Sequence, residues 1–447
     1  MQESEETTQQ QVSDAFARRM TRLRDMHPSD IAEEIEDLEL GDIRKVLREL
    51  PDDRVAEILT ELPQEVQTNL LENMRLERVS EIIPEMFSDD AADALGNVSP
   101  ERLQDIMDQL PAEDVSEITD LLDYPEDTAG GIMRKEVNAV LTSMTLAAAR
   151  EAVRKDEDHD QDNAIYVYAV DENQRLQGVL RLRDLLFRDL RLSVSDVMIQ
   201  EVRSVSVHAD QEEIANIFQK YNYLALPVVD DFGKLVGLVT SDDVIDVIQE
   251  EATEDMQRMV GLSGEEMVTT PWTRSAKNRV PWLLVNLGTA FLAAWVVSMF
   301  EDTLVKYAML AAFLPIIGGM GGNAGSQTLT IVVRSLALGE IEDNEWRRVL
   351  GKEIIVGLVA GIVVGASVGL VSWLWRGDLI IGAVVALAMM LNMIAAAMAG
   401  VLVPIGLRSV KVDPALASSI MVTTVTDVVG FFIFLSLASV ALNFLTI

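Results

Sequence analysis

Pro315-Ile316-Ile317-Gly318-Gly319-Met320-Gly321-Gly322-Asn323-Ala324-Gly325-Ser326-Gln327 decides how this chain is read. The stretch lies inside residues 307–333, which carry no charge, yet five of its eight positions from Gly318 to Gly325 are glycine. An apolar run of roughly 20 residues is long enough to cross a bilayer as a helix. Glycines in mid-membrane weaken that helix and let backbone or solute approach closely, and a carbonyl exposed there must be satisfied by protein, water or an ion. Close helix packing is the competing reading of the same run.

Working outward, residues 281–300, 354–375 and 379–407 are also free of charge, and 418–447 contains only Asp427. The C-terminal part is therefore expected to be an all-α domain of five transmembrane helices, 273–447. Nine Lys and Arg lie before helix 1, between helices 2 and 3 and between helices 4 and 5, against Lys306 and Arg376 on the other side. By the positive-inside rule the N-terminal half is cytoplasmic and the C-terminus outside. An acid at a helix centre costs about 2.5–3.5 kcal/mol on insertion scales, so Asp427 needs a partner. No Lys or Arg lies within the spans to pair with it. The choice is a hydrogen bond to a neighbouring helix or a cation on a conduction path, and the missing base favours the cation. Thr423, one turn earlier, adds a hydroxyl to the same face. Gly357, Gly361, Gly365 and Gly369 read as a packing stripe, Met389, Met390, Met393 and Met398 as packing, and Asn286 and Asn392 as interhelical hydrogen bonds.

The rest of the chain is of opposite character. From Thr273 onward 11 Lys and Arg face 10 Asp and Glu, a net +1, so residues 1–272 carry −37 of the total −36. Such a surface repels nucleic acid and concentrates cations. With no cysteine and only His27, His159 and His208, thiolate metal sites, Cys nucleophiles and His acid–base catalysis are excluded or poor expectations. No phosphate loop or nucleophile–base pair is visible either, so an enzyme is the least expected class. The first ten residues have neither a basic region nor an apolar run, and no signal peptide is expected.

Within the acidic half two repeats appear. Units of twelve open at Met26, Leu38, Leu50, Leu62, Met74, Met86, Val98 and Leu110, often with Pro or an acid next, and with apolar residues near positions 6, 9 and 10. Those positions share one face of a two-turn helix, so 26–127 is expected to be an α-helical solenoid, following an N-terminal tail at 1–25. Over 128–245, Ile132-Met133 recurs as Val197-Met198, and the segment 178–185 recurs as 237–244. This duplication of strands entering helices resembles an α/β tandem CBS pair. In that family a Thr or Ser followed three residues later by Asp contacts an adenine nucleotide. Thr240 and Asp243 match, whereas Arg181 and Asp184 in the first copy depart from it. A connecting helix with Val244, Ile248, Ala252, Met256 and Met259 or Val260 on one stripe then runs toward the membrane over 246–272, with Gly261 as its C-cap.

The order of parts, with Glu250-Glu251-Ala252-Thr253-Glu254-Asp255-Met256, the glycine run and Val412-Asp413-Pro414 leading to Thr426-Asp427-Val428-Val429-Gly430, resembles the MgtE family of magnesium channels over about residues 26–447. The resemblance implies a multi-pass protein of the cell inner or plasma membrane, a homodimer with the pore on its two-fold axis between helices 2 and 5. It implies Mg²⁺ as both substrate and regulator, Asp427 binding hydrated Mg²⁺, and a selectivity region of Asp427, Thr423, Asn323 and Gly322. By position, regulatory carboxylates fall on Asp89, Asp93, Asp243, Asp246, Glu251, Glu254, Asp255 and Asp413. ATP at the CBS pair is a further implication. The residues fit independently: Mg²⁺ prefers oxygen and keeps its waters, and acidic segments stay apart until divalent ions bridge them. The alternatives are a secondary transporter that couples Asp427 to another cation, and a membrane-tethered CBS nucleotide sensor without transport.

Overall fold

Each twelve-residue unit folds into one short helix. Proline at the first position loses only an N–H that the helix leaves unbonded, and carboxylates favour the positive end of the helix. The units give α1 Pro28–Ile35, α2 Leu40–Arg48, α3 Asp52–Glu61, α4 Gln64–Asn73, α5 Leu76–Ile82, α6 Ser88–Gly96, α7 Pro100–Met107 and α8 Ala112–Leu122. This computed structural model describes residues 20, 22–155, 166–264, 266–268, 270–341, 345–416 and 419–445, so most of the N-terminal tail lies outside the described residues. Positions 6, 9 and 10 form the core: Ile43, Val46 and Leu47, then Val55, Ile58 and Leu59, then Val79, Ile82 and Ile83 are all buried. Arginine at position 5 of the units that open at Leu50, Met74 and Val98 ties the helices together. Arg54, Arg78 and Arg102 each donate to the carbonyl 28 residues back, on Met26, Leu50 and Met74.

The duplicated segment forms two three-stranded sheets of the same order. In the first, β1 Ala139–Leu141 runs parallel to β2 Tyr166–Val170, which pairs antiparallel with β3 Leu176–Arg181; α9 Leu146–Lys155 and α10 Leu182–Phe187 accompany them. The second repeats this with α11 Val194–Val197, β4 Val205–Ser206, α12 Gln211–Tyr221, β5 Ala225–Val229 and β6 Leu235–Thr240. Each copy is completed by the other's leading segment. Arg134 exchanges backbone hydrogen bonds with Leu238, and Ile199 with Val179. The recurring methionines fill the recurring glycines: a Cβ on Gly237 would lie 2.7 Å from Met133 Sδ, and one on Gly178 would lie 2.7 Å from Met198 Sδ.

The chain divides into two compact units, 1–248 and 249–447, and the boundary falls inside one continuous helix, α13 Ser241–Met259. The expected single stripe on that helix is therefore corrected. Val244 and Val247 are buried in the first unit's core, Met259 packs on Leu329, Val333, Ala399, Ala415 and Val422 of the second, and Met256 between them is exposed. The helix ends at Gly261, whose φ of +83° only glycine adopts without strain, while Leu262 N–H returns to the Gln257 carbonyl.

The second unit holds α14 Trp272–Ser298, the short α15 Glu301–Lys306, then α16 Leu314–Ala337, α17 Trp346–Arg376, α18 Leu379–Ser409 and α19 Ser419–Leu445. Among the described residues five helical segments are long and apolar enough to cross a membrane. The molecule is thus a multidomain membrane protein with a helical solenoid, an α/β CBS pair and an all-α domain of five spans. The glycine stripe on α17 packs on α18: a Cβ on Gly357, Gly361, Gly365 or Gly369 would come within 2.6–2.9 Å of the carbonyls of Met393, Met390, Ala386 and Gly382. Asn392 makes the expected interhelical bond, donating to the Ile317 carbonyl at 2.9 Å. Asn286 does not; its side chain is exposed on α14.

Candidate ion path and its carboxylates

The glycine run gives α16 two faces. On the inner face Gly318 and Gly322, one turn apart, lie opposite Asp427 and Thr423, one turn apart on the antiparallel α19. A Cβ on Gly318 would sit 2.7 Å from Asp427 Oδ1, and one on Gly322 would sit 3.4 Å from Thr423 Oγ1. At Gly318 a side chain would have to push the carboxylate aside, whereas at Gly322 a Cβ would make an ordinary contact with the Thr423 hydroxyl. Among the described residues no ion pair reaches Asp427, which is half-buried. On the outer face Gly319, Asn323 and Gln327, at intervals of four, are exposed, and nothing lies within 4 Å of a Cβ on Gly319. A membrane helix does not present such a polar face to lipid; water or another chain has to meet it. Asn392 is fully buried between α16 and α19, against Gly321 and Gly430. Its Oδ1 has no donor among the described residues.

The second group of carboxylates sits where α13 meets the loop between α18 and α19. Arg258 bridges Glu254 on its own helix and Asp413, whose Oδ2 accepts from Nη1 at 2.6 Å. Asp413 Oδ1 accepts from the backbone N–H of Ala415. Burial, followed by the charges of Asp413 and Glu251, pushes Asp255 up to about 6, against the pull of Arg334 and Arg258. Burial likewise raises Glu254. Among the described residues no three Asp, Glu or His converge as a ready metal cage.

In the first unit Asp89 and Asp243 do come together, with Arg134 between them. Nε lies 3.3 Å from Asp89 Oδ2, and Nη2 lies 3.1 Å from Asp243 Oδ1 and 3.7 Å from Asp242 Oδ2. Burial drives the Asp89 carboxyl up while Arg134 opposes it, and burial followed by the Asp243 charge raises Asp90 to about 7. Asp243 Oδ2 also accepts from the hydroxyl and the N–H of Thr240, which caps the start of α13. Asp93 and Asp246 are exposed, on α6 and α13 respectively.

The sequence matches the divalent cation transporter domain of MgtE over 314–437, the MgtE intracellular N domain over 26–127 and CBS domains over 129–191 and 194–250. It is 38% identical to the magnesium transporter MgtE of Thermus thermophilus, covering 73% of each chain. It is 35% identical to that of Enterococcus faecalis, over 73% of this chain and 72% of the relative. The chain belongs to the MgtE family. Among solved structures, the cytosolic domain of the Mg²⁺ channel MgtE in complex with ATP matches 54% of this chain and 98% of its own, at 37% identity and a TM-score of 0.50. Likeness to inosine-5′-monophosphate dehydrogenases is confined to about a fifth of the chain, as in the 88 residues shared with that of Nitrosopumilus maritimus.

Three features of this MgtE chain escaped sequence reasoning. Glu353 is buried two turns inside α17, where its Oε2 accepts from the Thr328 hydroxyl at 3.1 Å and Oε1 lies 3.2 Å from Lys352 Nζ. It stands just outside an uncharged run, and the start of α17 at Trp346 is the only local hint that the helix already includes it. Arg134 and Arg258 carry no motif signal, because what marks them is the pair of carboxylates that the fold brings to each.

Proposed function

We propose that the chain is a Mg²⁺-selective channel that admits Mg²⁺ down its electrochemical gradient and is closed by cytosolic Mg²⁺ bound to acidic sites of the cytoplasmic half and connecting helix. The observation that carries this reading is Asp427 laid on Gly318 with Thr423 on Gly322. A carboxylate and a hydroxyl one turn apart, with no basic partner among the described residues, form a hard oxygen surface suited to a hydrated Mg²⁺. Asn323 and Gly322 complete the proposed selectivity region, the exposed face of α16 lining the water path. A second copy across a two-fold axis would bring a second Asp427 to the same ion and cover that face. The N-terminal half is then cytoplasmic and the C-terminus outside. The proposed parts are a tail at 1–25, the solenoid at 26–127, the CBS pair at 128–245, the connecting helix at 246–272 and the membrane domain at 273–447.

For regulation, Glu251, Glu254, Asp255 and Asp413 are proposed to take a hard divalent ion that would share Glu254 and Asp413 with Arg258 and offset the repulsion that the Asp413 charge exerts on half-buried Asp255. Bound Mg²⁺ would supply the charge that removes this repulsion. Asp93 and Asp246 remain candidates by position. Asp89 and Asp243 do not fit, because Arg134 already holds them. An adenine nucleotide at Thr240 and Asp243 is a second proposal, favoured by the ATP complex of the related cytosolic domain.

Purified protein in liposomes with an internal Mg²⁺ dye tests the channel. Asp427→Asn keeps shape and hydrogen bonding and is expected to lower Mg²⁺ influx at least about tenfold without loss of folded protein. Flux at the parent rate, with parent preference over Na⁺, would make Asp427 a packing acid. Transport that demands an imposed Na⁺ or proton gradient would instead favour the coupled transporter.

A further inference from the structure

The segment that links the solenoid to the first CBS copy grips α6 with three consecutive residues. Arg134 lies between Asp89 and Asp243, its guanidinium also 4.4 Å over the Phe87 ring. The backbone N–H of Lys135 donates to the Ser88 hydroxyl at 2.8 Å. Glu136 caps the start of α6, accepting from the Ser88 N–H at 2.9 Å and from its hydroxyl at 2.8 Å. The side chains of Arg134 and Asp89 are only 7% and 8% exposed. All of this lies within one compact unit.

We infer that Arg134 is a built-in cation that clamps the N domain to the CBS pair through Asp89 and Asp243, so that this interface stays closed whether or not Mg²⁺ is present. Buried Asp89 and partly buried Asp243, from different domains and with Asp242 also within 3.7 Å of the guanidinium, repel one another unless a cation stands between them. A divalent ion would satisfy them only while its cytosolic concentration kept the site filled. A tethered guanidinium is present at all times, cannot be deprotonated, and offers a planar fork that engages both acids at once. Its reach is fixed by the exchange of backbone hydrogen bonds between Arg134 and Leu238, which sets the segment on β6 five residues before Asp243. Mg²⁺ needs close octahedral oxygen contacts and retains its waters, which the guanidinium between these carboxylates precludes. Mg²⁺ sensing then belongs to the connecting-helix carboxylates rather than to this interface. The clamp itself does not depend on the proposed transport, because its test reads protection and not flux.

Hydrogen exchange on the full chain in lipid nanodiscs tests it, following the amides of α6 in EDTA and in about 10 mM Mg²⁺. The parent is expected to protect α6 equally in both, and protection that rises about tenfold or more with Mg²⁺ overturns the clamp. In Arg134→Met the α6 amides should exchange at least about 30-fold faster in EDTA and recover in Mg²⁺ but not in Na⁺ of equal ionic strength. Parent-like protection of that variant in EDTA, or loosening that Mg²⁺ does not reverse, overturns it. The β5 amides report whether the variant remains folded. If they loosen too, Arg134→Lys decides: it keeps the charge, so α6 must stay protected in EDTA, and loss of that protection sinks the inference.

Discussion

Neighbouring glycines in the membrane run have opposite surroundings. A methyl on Gly318 would press on Asp427 Oδ1 at 2.7 Å, whereas one on Gly319 would meet nothing within 4 Å. Gly318→Ala is therefore expected to displace the carboxylate and cut Mg²⁺ flux about tenfold or more, because displacing an ion ligand by an ångström costs on the order of that factor. Gly319→Ala should leave Asp427 in place and lose less flux than Gly318→Ala, since no atom of the same chain lies within 4 Å of the added methyl. Flux assays of the two variants side by side check this, and equal loss in both would mean that helix flexibility, not the Asp427 contact, is what glycine supplies. The glycine run was legible as unusual from composition alone. Which glycine receives which side chain was not, since that depends on the register of α16 against α19.

Among the elements, the solenoid helices are short, and an isolated helix of two or three turns is marginal in water. Their ties across units therefore matter. Glu72 at the end of α4 accepts from the Ser99 N–H at 2.5 Å and so caps α7, while Arg102 of α7 donates to the carbonyls of Leu71 and Met74. The bond to Ser99 holds Glu72 below the ordinary glutamate value of 4.5. A carboxyl lowered on folding contributes stability that is present above the unfolded value and is lost as pH falls through the folded one. Protection of α7 amides, corrected for intrinsic exchange, is thus expected to fall as pH drops from about 5 toward about 3. Glu72→Gln should flatten that fall and cost about 0.5–1 kcal/mol at neutral pH, the worth of a charge-assisted bond over a neutral one. An identical pH profile in the variant would show that another carboxyl governs acid loosening. The twelve-residue period predicted these helices and their buried positions. The arginine and glutamate ties were not visible in it, because they join residues 27 to 31 apart whose proximity only the stacking creates.

At the level of the whole molecule, the −37 charge of residues 1–272 and the raised Asp255 point the same way: the acidic parts are held together against repulsion. Two ionised carboxylates about 4 Å apart repel by about 4 kcal/mol at an effective dielectric of 20. At about pH 7.5 EDTA is expected to speed limited proteolysis within residues 240–275 several-fold, and Mg²⁺ but not Na⁺ of matched ionic strength should slow it. Replacing Glu251, Glu254 and Asp255 by Ala should abolish the Mg²⁺ effect. Equal protection by both salts would reduce the effect to screening, and an unchanged response in the triple variant would leave the connecting-helix acids a solvated face.

Period and composition by themselves determined the five spans, the twelve-residue solenoid, the duplicated α/β pair and the isolation of Asp427 within its helix. These are properties of chemistry repeated along the chain, which burial and bilayer thickness turn into structure whatever the partners are. The tertiary structure alone decided the pairings. It set Asp427 on Gly318, turned the connecting helix into an element with each end packed on the core of a different unit, and exposed Asn286 while burying Glu353. It also delivered Arg134 to Asp89 and Asp243 from 45 and 109 residues away. A carboxylate's role depends on the charge that faces it, and at those separations that charge is fixed by how the domains fold together.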